Sequence, residues 1–202
     1  MGKAAIAGIS LILVVGVVIG TVTFVNRGGN SPAPETPQTD NAASITGGMK
    51  AAESLCAPAD FKDDCMDTLR PVAQKDNKAS PMQLVAAAFE AALAQVKKAL
   101  DKSTSLHSEA SDEYDKLSLD SCKVLMDCAI YELEEAIVKV KNKETDTMDE
   151  LLDDLNTWLS SVIADSQSCL DDIHKPELKG KMQAVLDKTD KLTVNALAIV
   201  DE

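Results

Sequence analysis

Residues 120–170 read DSCKVLMDCAIYELEEAIVKVKNKETDTMDELLDDLNTWLSSVIADSQSCL, and they decide the fold. Apolar residues recur at steps of three and four on both sides of one polar stretch. The first stripe runs Cys122, Leu125/Met126, Ala129/Ile130, Leu133, Ile137 and Val140. The second runs Leu151/Leu152, Leu155, Trp158/Leu159, Val162/Ile163, Ser166 and Cys169/Leu170. That period marks two helices, each with one buried face. The polar stretch Asn142 to Thr147 between them is short, so the helices run back along each other.

Antiparallel neighbours obey a simple rule: residues at one height have numbers with a constant sum, fixed by the turn. Cys122 and Cys169 have their midpoint at 145.5, inside the turn, so they share a level where a disulfide closes without strain. Cys128 fails the same test, because its opposite level falls at Ile163. It is expected to stay free and to fill space as a small core hydrophobe, with an intermolecular bridge as its other use.

Two more stripes lie outside this pair. Ser80-Pro81-Met82-Gln83 carries an N-cap serine, a proline at the first helical position and glutamine three on. Leu84/Val85, Ala88/Phe89, Ala92, Val96 and Ala99/Leu100 continue it. Pro176-Glu177 opens the last helix, with Leu178, Met182, Val185/Leu186, Thr189, Leu192, Ala196 and Ile199/Val200. The second helix spans about Asp112 to Lys141, and Thr147-Met148-Asp149-Glu150 reads as a capping box for the third. Upstream, Met49 to Lys75 forms two short helical pieces broken at Ala57-Pro58-Ala59-Asp60, with Cys56 and Cys65 placed to staple them. The expected fold is all-α: an antiparallel four-helix bundle preceded by an N-terminal helical hairpin, with two disulfides.

The remaining residues set the compartment. Ala4 to Val25 is almost wholly apolar, and no charge interrupts Ala4 to Asn26. Its length suits a membrane-spanning helix better than the short apolar core of a cleaved signal. Lys3 before it and Arg27 after it weakly favour export of the chain beyond Val25. Residues 1–27 are therefore read as a signal anchor or signal peptide, 28–48 as a Gly/Ser/Pro-rich flexible linker, and 49–202 as the folded domain. Export makes disulfides the default use of paired cysteines.

Residues 1–48 hold two basic and two acidic residues, so the net charge of −13 rests wholly on 49–202. Such a domain repels polyanions, which argues against nucleic acid and against acidic polysaccharide as direct ligands. One Trp, two Tyr and three Phe leave little for sugar or base stacking. No C-x-x-C spacing occurs, and His107 and His174 stand alone on polar stretches, so neither metal nor cofactor is expected. The acid pairs Asp63-Asp64, Glu134-Glu135, Asp153-Asp154 and Asp171-Asp172 cannot converge on one atom, because adjacent helical residues point about 100° apart. They read as solvated faces, and the chain is not expected to be an enzyme.

Several of these residues carry a resemblance. Cys56 and Cys65 flank a short break, and Ser121-Cys122-Lys123-Val124-Leu125 opens a helix. With Leu155-Asn156-Thr157-Trp158-Leu159-Ser160-Ser161, Ser168-Cys169-Leu170-Asp171 and the closing Leu192-Thr193-Val194-Asn195-Ala196-Leu197, they resemble the plant invertase and pectin methylesterase inhibitor family. The resemblance covers roughly 49–202. It implies a proteinaceous inhibitor that binds a plant cell-wall pectin methylesterase stoichiometrically and blocks its cleft, either alone or as a pro-region. This chain has no room for the esterase's β-helix. The other readings are an invertase inhibitor and a membrane-anchored sorting module. The family presents the helices bearing the third and fourth framework cysteines to its enzyme, which implies Ser168 and Asp171 at the interface. A polar or acidic residue is expected where Val124 stands. The Pro-Lys-Phe motif of invertase inhibitors is not matched by Lys175-Pro176-Glu177.

Overall fold

A computed structural model describes residues 46–142 and 148–201. The apolar segment 4–25, most of the linker and the Thr147 cap lie outside the described residues. Among the described residues six helices occur in order: α1 Gly47–Leu55, α2 Lys62–Lys75, α3 Pro81–Glu109, α4 Glu113–Asn142, α5 Met148–Asp172 and α6 Pro176–Val200. These residues contain no strand, and no helix among them is long and apolar enough to cross a membrane.

Helices α3 to α6 form the expected bundle. Each packs on its sequence neighbour, and α6 returns to close the ring on α3. The core comes from the read stripes: Leu84, Phe89 and Val96 of α3, Met126 and Leu133 of α4, Leu155 and Leu159 of α5, Met182 and Leu186 of α6, all within 2% of complete burial. The α3 start matches the sequence closely. Ser80 Oγ accepts from Gln83 N, and the Gln83 side chain accepts from Ser80 N at 2.7 Å, a full capping box. Asp112 caps α4, its Oδ1 accepting from Tyr114 N at 2.9 Å and Asp115 N at 3.2 Å.

Both bridges are present: Cys56–Cys65 with Cα atoms 5.8 Å apart and Cys122–Cys169 with Cα atoms 4.5 Å apart. The level rule extends along the α4–α5 pair, where Lys139 Nζ meets Asp154 Oδ2 at 3.0 Å and Ser121 Oγ donates to Asp172 Oδ2 at 2.6 Å. Both pairs sum within two of the Cys122–Cys169 value, so one register holds over the pair.

The hairpin α1–α2 lies against α3 and α6. Its start differs from the sequence reading. Thr46 caps α1, and the helix begins at Gly47, inside the stretch read as linker. Two adjacent glycines look like flexible punctuation, but here they allow close packing. A Cβ on Gly48 would lie 2.6 Å from the Asp76 carbonyl oxygen and 2.8 Å from that of Ala73. Gly48 N also donates to Asn77 O at 2.8 Å.

At the other end of the hairpin, Asn195 of α6 holds the corner at Phe61. Its Oδ1 accepts from Phe61 N at 3.0 Å and its Nδ2 donates to Phe61 O at 2.8 Å. Lys188 pairs with Asp64 beside it, and Lys191 Nζ sits 5.5 Å from the Phe61 ring centroid.

Cys128 corrects one expectation. It is unpaired, as read, but exposed and not part of the core. Its neighbour Ala129 takes the buried position, and one residue of helix turns the side chain by about 100°.

Candidate functional site

On the solvent side of α4, opposite its core face, four apolar residues stand at strict seven-residue spacing: Leu117, Val124, Tyr131 and Val138. With Tyr114 at the start of the helix, they are between 50 and 67% exposed. Large apolar side chains set in a row, and not scattered singly, mark an interaction surface. The row escapes a reading of α4 for steps of three and four, because its members stand singly, seven residues apart, among acidic residues.

The row runs into a groove of about 480 Å³ near the α4 start, lined by Tyr114, Leu117, Ser121 and Val124 with Asp172 of α5. Polar contacts frame it. Ser121 is held by Asp172 at 2.6 Å. Tyr114 meets His174 edge-on, with centroids 5.3 Å apart and the phenol oxygen 3.1 Å from Nδ1. Lys175 Nζ reaches Asp115 at 3.2 Å. On the α3 side, Asp120 lies 3.3 Å from His107 Nε2 and 2.5 Å from Lys123 Nζ. The Lys123 hydrogen bond, helped by the charge of His107, holds the Asp120 carboxyl below its ordinary value.

The three residues singled out by the resemblance do not all share this face. Val124 is in the groove, and Ser168 is exposed at the matching level of α5, beside the Cys122–Cys169 bridge. Asp171 turns to α6, where Lys179 Nζ lies 3.7 Å away. The carboxylate facing α4 belongs to Asp172 instead.

The acid pairs also resolve. In each, one member is tied to a neighbouring helix: Asp64 to Lys188, Glu134 to Lys97 at 2.9 Å, Asp154 to Lys139 and Asp171 to Lys179. A second set of carboxylates lines the flanks of α5. Glu132 Oε2, Asp165 Oδ2 and Asp190 Oδ1 are buried without a hydrogen-bond partner. Burial raises the pKa of all three, and Asp165 adds to the rise at Glu132 through its charge. Among the described residues no group of three His, Cys, Asp or Glu could hold a metal ion.

Comparisons with known proteins agree with one another. The family model described as plant invertase/pectin methylesterase inhibitor matches residues 50–199. A pectinesterase/pectinesterase inhibitor from Arabidopsis thaliana is 33% identical over 204 residues, covering 99% of this chain and 26% of its own length. One from Brassica campestris is 33% identical over 195 residues, covering 93% of this chain and 31% of its own. The chain thus spans about a quarter to a third of the length of the curated relatives it matches. In fold it is similar to the crystal structure of a pectin methylesterase inhibitor from Arabidopsis thaliana. That likeness has a TM-score of 0.53 at 20% identity, over 75% of this chain and 95% of that one.

Proposed function

The chain belongs to the plant invertase/pectin methylesterase inhibitor family, and from that premise we propose that its bundle binds a plant pectin methylesterase through the outer face of α4 and the adjoining edge of α5. The observation that carries the reading is the row Leu117, Val124 and Tyr131 with its groove, an apolar centre rimmed by Ser121 and Asp172, with His174 against Tyr114 and Ser168 exposed on α5. Protein interfaces have this anatomy, with an apolar core, aromatic anchors and a polar rim. Tyr114 and Tyr131 are the anchors in this reading. Val124 acts by packing, in place of the polar contact that the resemblance leads one to expect.

The bound inhibitor covers the esterase cleft one to one. Export to the cell wall, with 4–25 as a tether, completes the proposal. An acidic bundle seeks a partner with a basic rim, and mixed-sign association of this kind speeds encounter at low salt.

The test is methanol release from methyl-esterified pectin by several plant pectin methylesterases, titrated with the full chain at acidic and neutral pH. Release should fall linearly to an equivalence point near one inhibitor per enzyme. Undiminished release across all isoforms overturns the proposal. Sucrose cleavage by an acid invertase, run in parallel, should be unaffected.

A further inference from the structure

We propose that His174 is a positioning residue for Tyr114: its Nδ1 accepts the phenol hydrogen and so sets the aromatic edge of the groove, which only an unprotonated Nδ1 can do. The proposal rests on the reading of Tyr114 as an interface anchor.

One nitrogen lies between two oxygens. Nδ1 of His174 is 3.1 Å from the Tyr114 phenol oxygen and 3.0 Å from the backbone carbonyl oxygen of Asp172. Nδ1 carries either a lone pair or a proton, never both. With the lone pair it accepts from the Tyr114 hydroxyl and offers the carbonyl nothing. With the proton it donates to the carbonyl, the better acceptor of the two, and the phenol must turn its hydrogen to water. Asp172 ends α5, and the last carbonyls of a helix lack partners within it and carry partial negative charge. The last turn of α5 has no basic side chain, so that carbonyl competes for the ring proton.

The backbone on both sides is fixed, so the exchange moves side chains alone. The Asp112 cap holds Tyr114 N and Asp115 N, and Lys175 Nζ reaches Asp115, whose side chain is only 12% exposed. Ile173, just before His174, is 2% exposed. Tyr114 itself is more than half exposed, and the imidazole gives it both an edge contact and a hydrogen bond. A released phenol samples more rotamers, and ordering it again on binding costs affinity.

Charged neighbours at this corner are already engaged. Asp115 pairs with Lys175, Glu113 with Lys116, Asp171 with Lys179 and Glu177 with Lys181, while the Asp172 carboxylate accepts from Ser121. Of these residue types, histidine alone ordinarily changes charge between about pH 5 and 8. The chain's other histidine, His107 of α3, lies 3.3 Å from Asp120 on the far flank of the groove, so the test removes it.

Ring-nitrogen NMR on the full chain carrying His107→Gln reads His174 alone. At about pH 8 the neutral ring is expected to hold its proton on Nε2. Adding Tyr114→Phe removes the donor and leaves the carbonyl, so the neutral ring should move its proton to Nδ1. A proton on Nδ1 in the parent, or an unchanged ring in Tyr114→Phe, overturns the proposal whatever inhibition shows. Inhibition of a plant pectin methylesterase is then compared at about pH 7.5 and about pH 5.5 with a chain also carrying His174→Asn, whose Oδ1 stands where Nδ1 stood and does not titrate. The ratio of the two at each pH cancels the enzyme's own titration. They should inhibit alike at the higher pH, and the asparagine chain should be about fivefold stronger at the lower, the effect of one hydrogen bond. A ratio constant with pH overturns the positioning role. Absence of inhibition by the parent overturns the interface reading instead, and the ring test still decides what holds Tyr114.

Discussion

Helix α4 has two apolar faces half a turn apart. Inside, Leu119, Cys122, Met126, Ala129, Leu133 and Val140 are almost fully buried, on a helix that packs against α3 and α5. Outside, Leu117, Val124, Tyr131 and Val138 stand in solvent. Residue type does not separate them, for both hold leucine and other large apolar side chains. Density does. The inner face is apolar at alternating steps of three and four, a continuous stripe packed between neighbouring helices. The outer face carries one large apolar residue in seven, with Asp120, Asp127 and Glu134 between them. A continuous stripe marks a core face, and a sparse row among acids marks a surface covered only on association. The inner face contributes to folding, while the outer one gains its free energy only on association.

The sharpest way to break this division is at the bridge that fixes the inner face. Replacing Cys122 and Cys169 together by serine should lower unfolding free energy by about 4 kcal/mol, the chain-entropy value for a closed loop of this length. Denaturant titration reads it, and a loss below about 1 kcal/mol would mean the bridge adds little to packing. Next comes Leu133→Ala on the inner face, expected to cost about 3 kcal/mol through lost burial and the cavity left behind. The outer counterpart is Tyr131→Ala. It should leave the thermal midpoint nearly unchanged yet weaken esterase inhibition by about 2 kcal/mol, roughly thirtyfold, if Tyr131 is an anchor. A stability loss as large as that of Leu133→Ala would erase the distinction between the faces.

A smaller effect tests the flank of α5, between the two extremes. Burial raises the pKa of Asp165, and its Oδ2 has no partner. A carboxyl raised in the folded state contributes stability that is fully present below its unfolded value and lost as pH rises through the folded one. Asp165→Asn should therefore stabilise the domain at neutral pH, and that gain should shrink as pH falls. A gain independent of pH, or a loss at neutral pH, would refute this. Smallest of all, Val124→Thr should change folding stability by no more than about 0.5 kcal/mol, as surface changes do.

How much of this was legible depends on the range of each interaction. The Ser80 capping box could be read because donor and acceptor lie three residues apart. The Cys122–Cys169 pairing spans 47 residues but derives from one turn and a constant sum. Asn195 could not be assigned its role, because it clamps the Phe61 backbone across 134 residues, with no periodic signal linking the two. The segment resembled the family there without revealing why. Gly47 and Gly48 were misread for a related reason: a close backbone approach and a flexible linker call for the same residue. Cys128 was assigned to the core on the usual behaviour of free cysteines, whereas the α4 stripe passes through the neighbouring Ala129 and leaves Cys128 exposed. Within the candidate site, the resemblance led to Val124 and Ser168, while Tyr114, Tyr131 and Asp172 emerged only from the fold.

The Cys122–Cys169 bridge sits far along α4 and α5 from the turn that joins them. Together with the main chain it makes a closed covalent ring out of the two helices. A protease that cuts one peptide bond anywhere inside that ring opens it without releasing a fragment. The nicked molecule gains only the water of hydrolysis and migrates as one band until a reductant is added. For a domain exported among hydrolases, as proposed, the bridge thus grants tolerance to a cut, whatever it adds to stability.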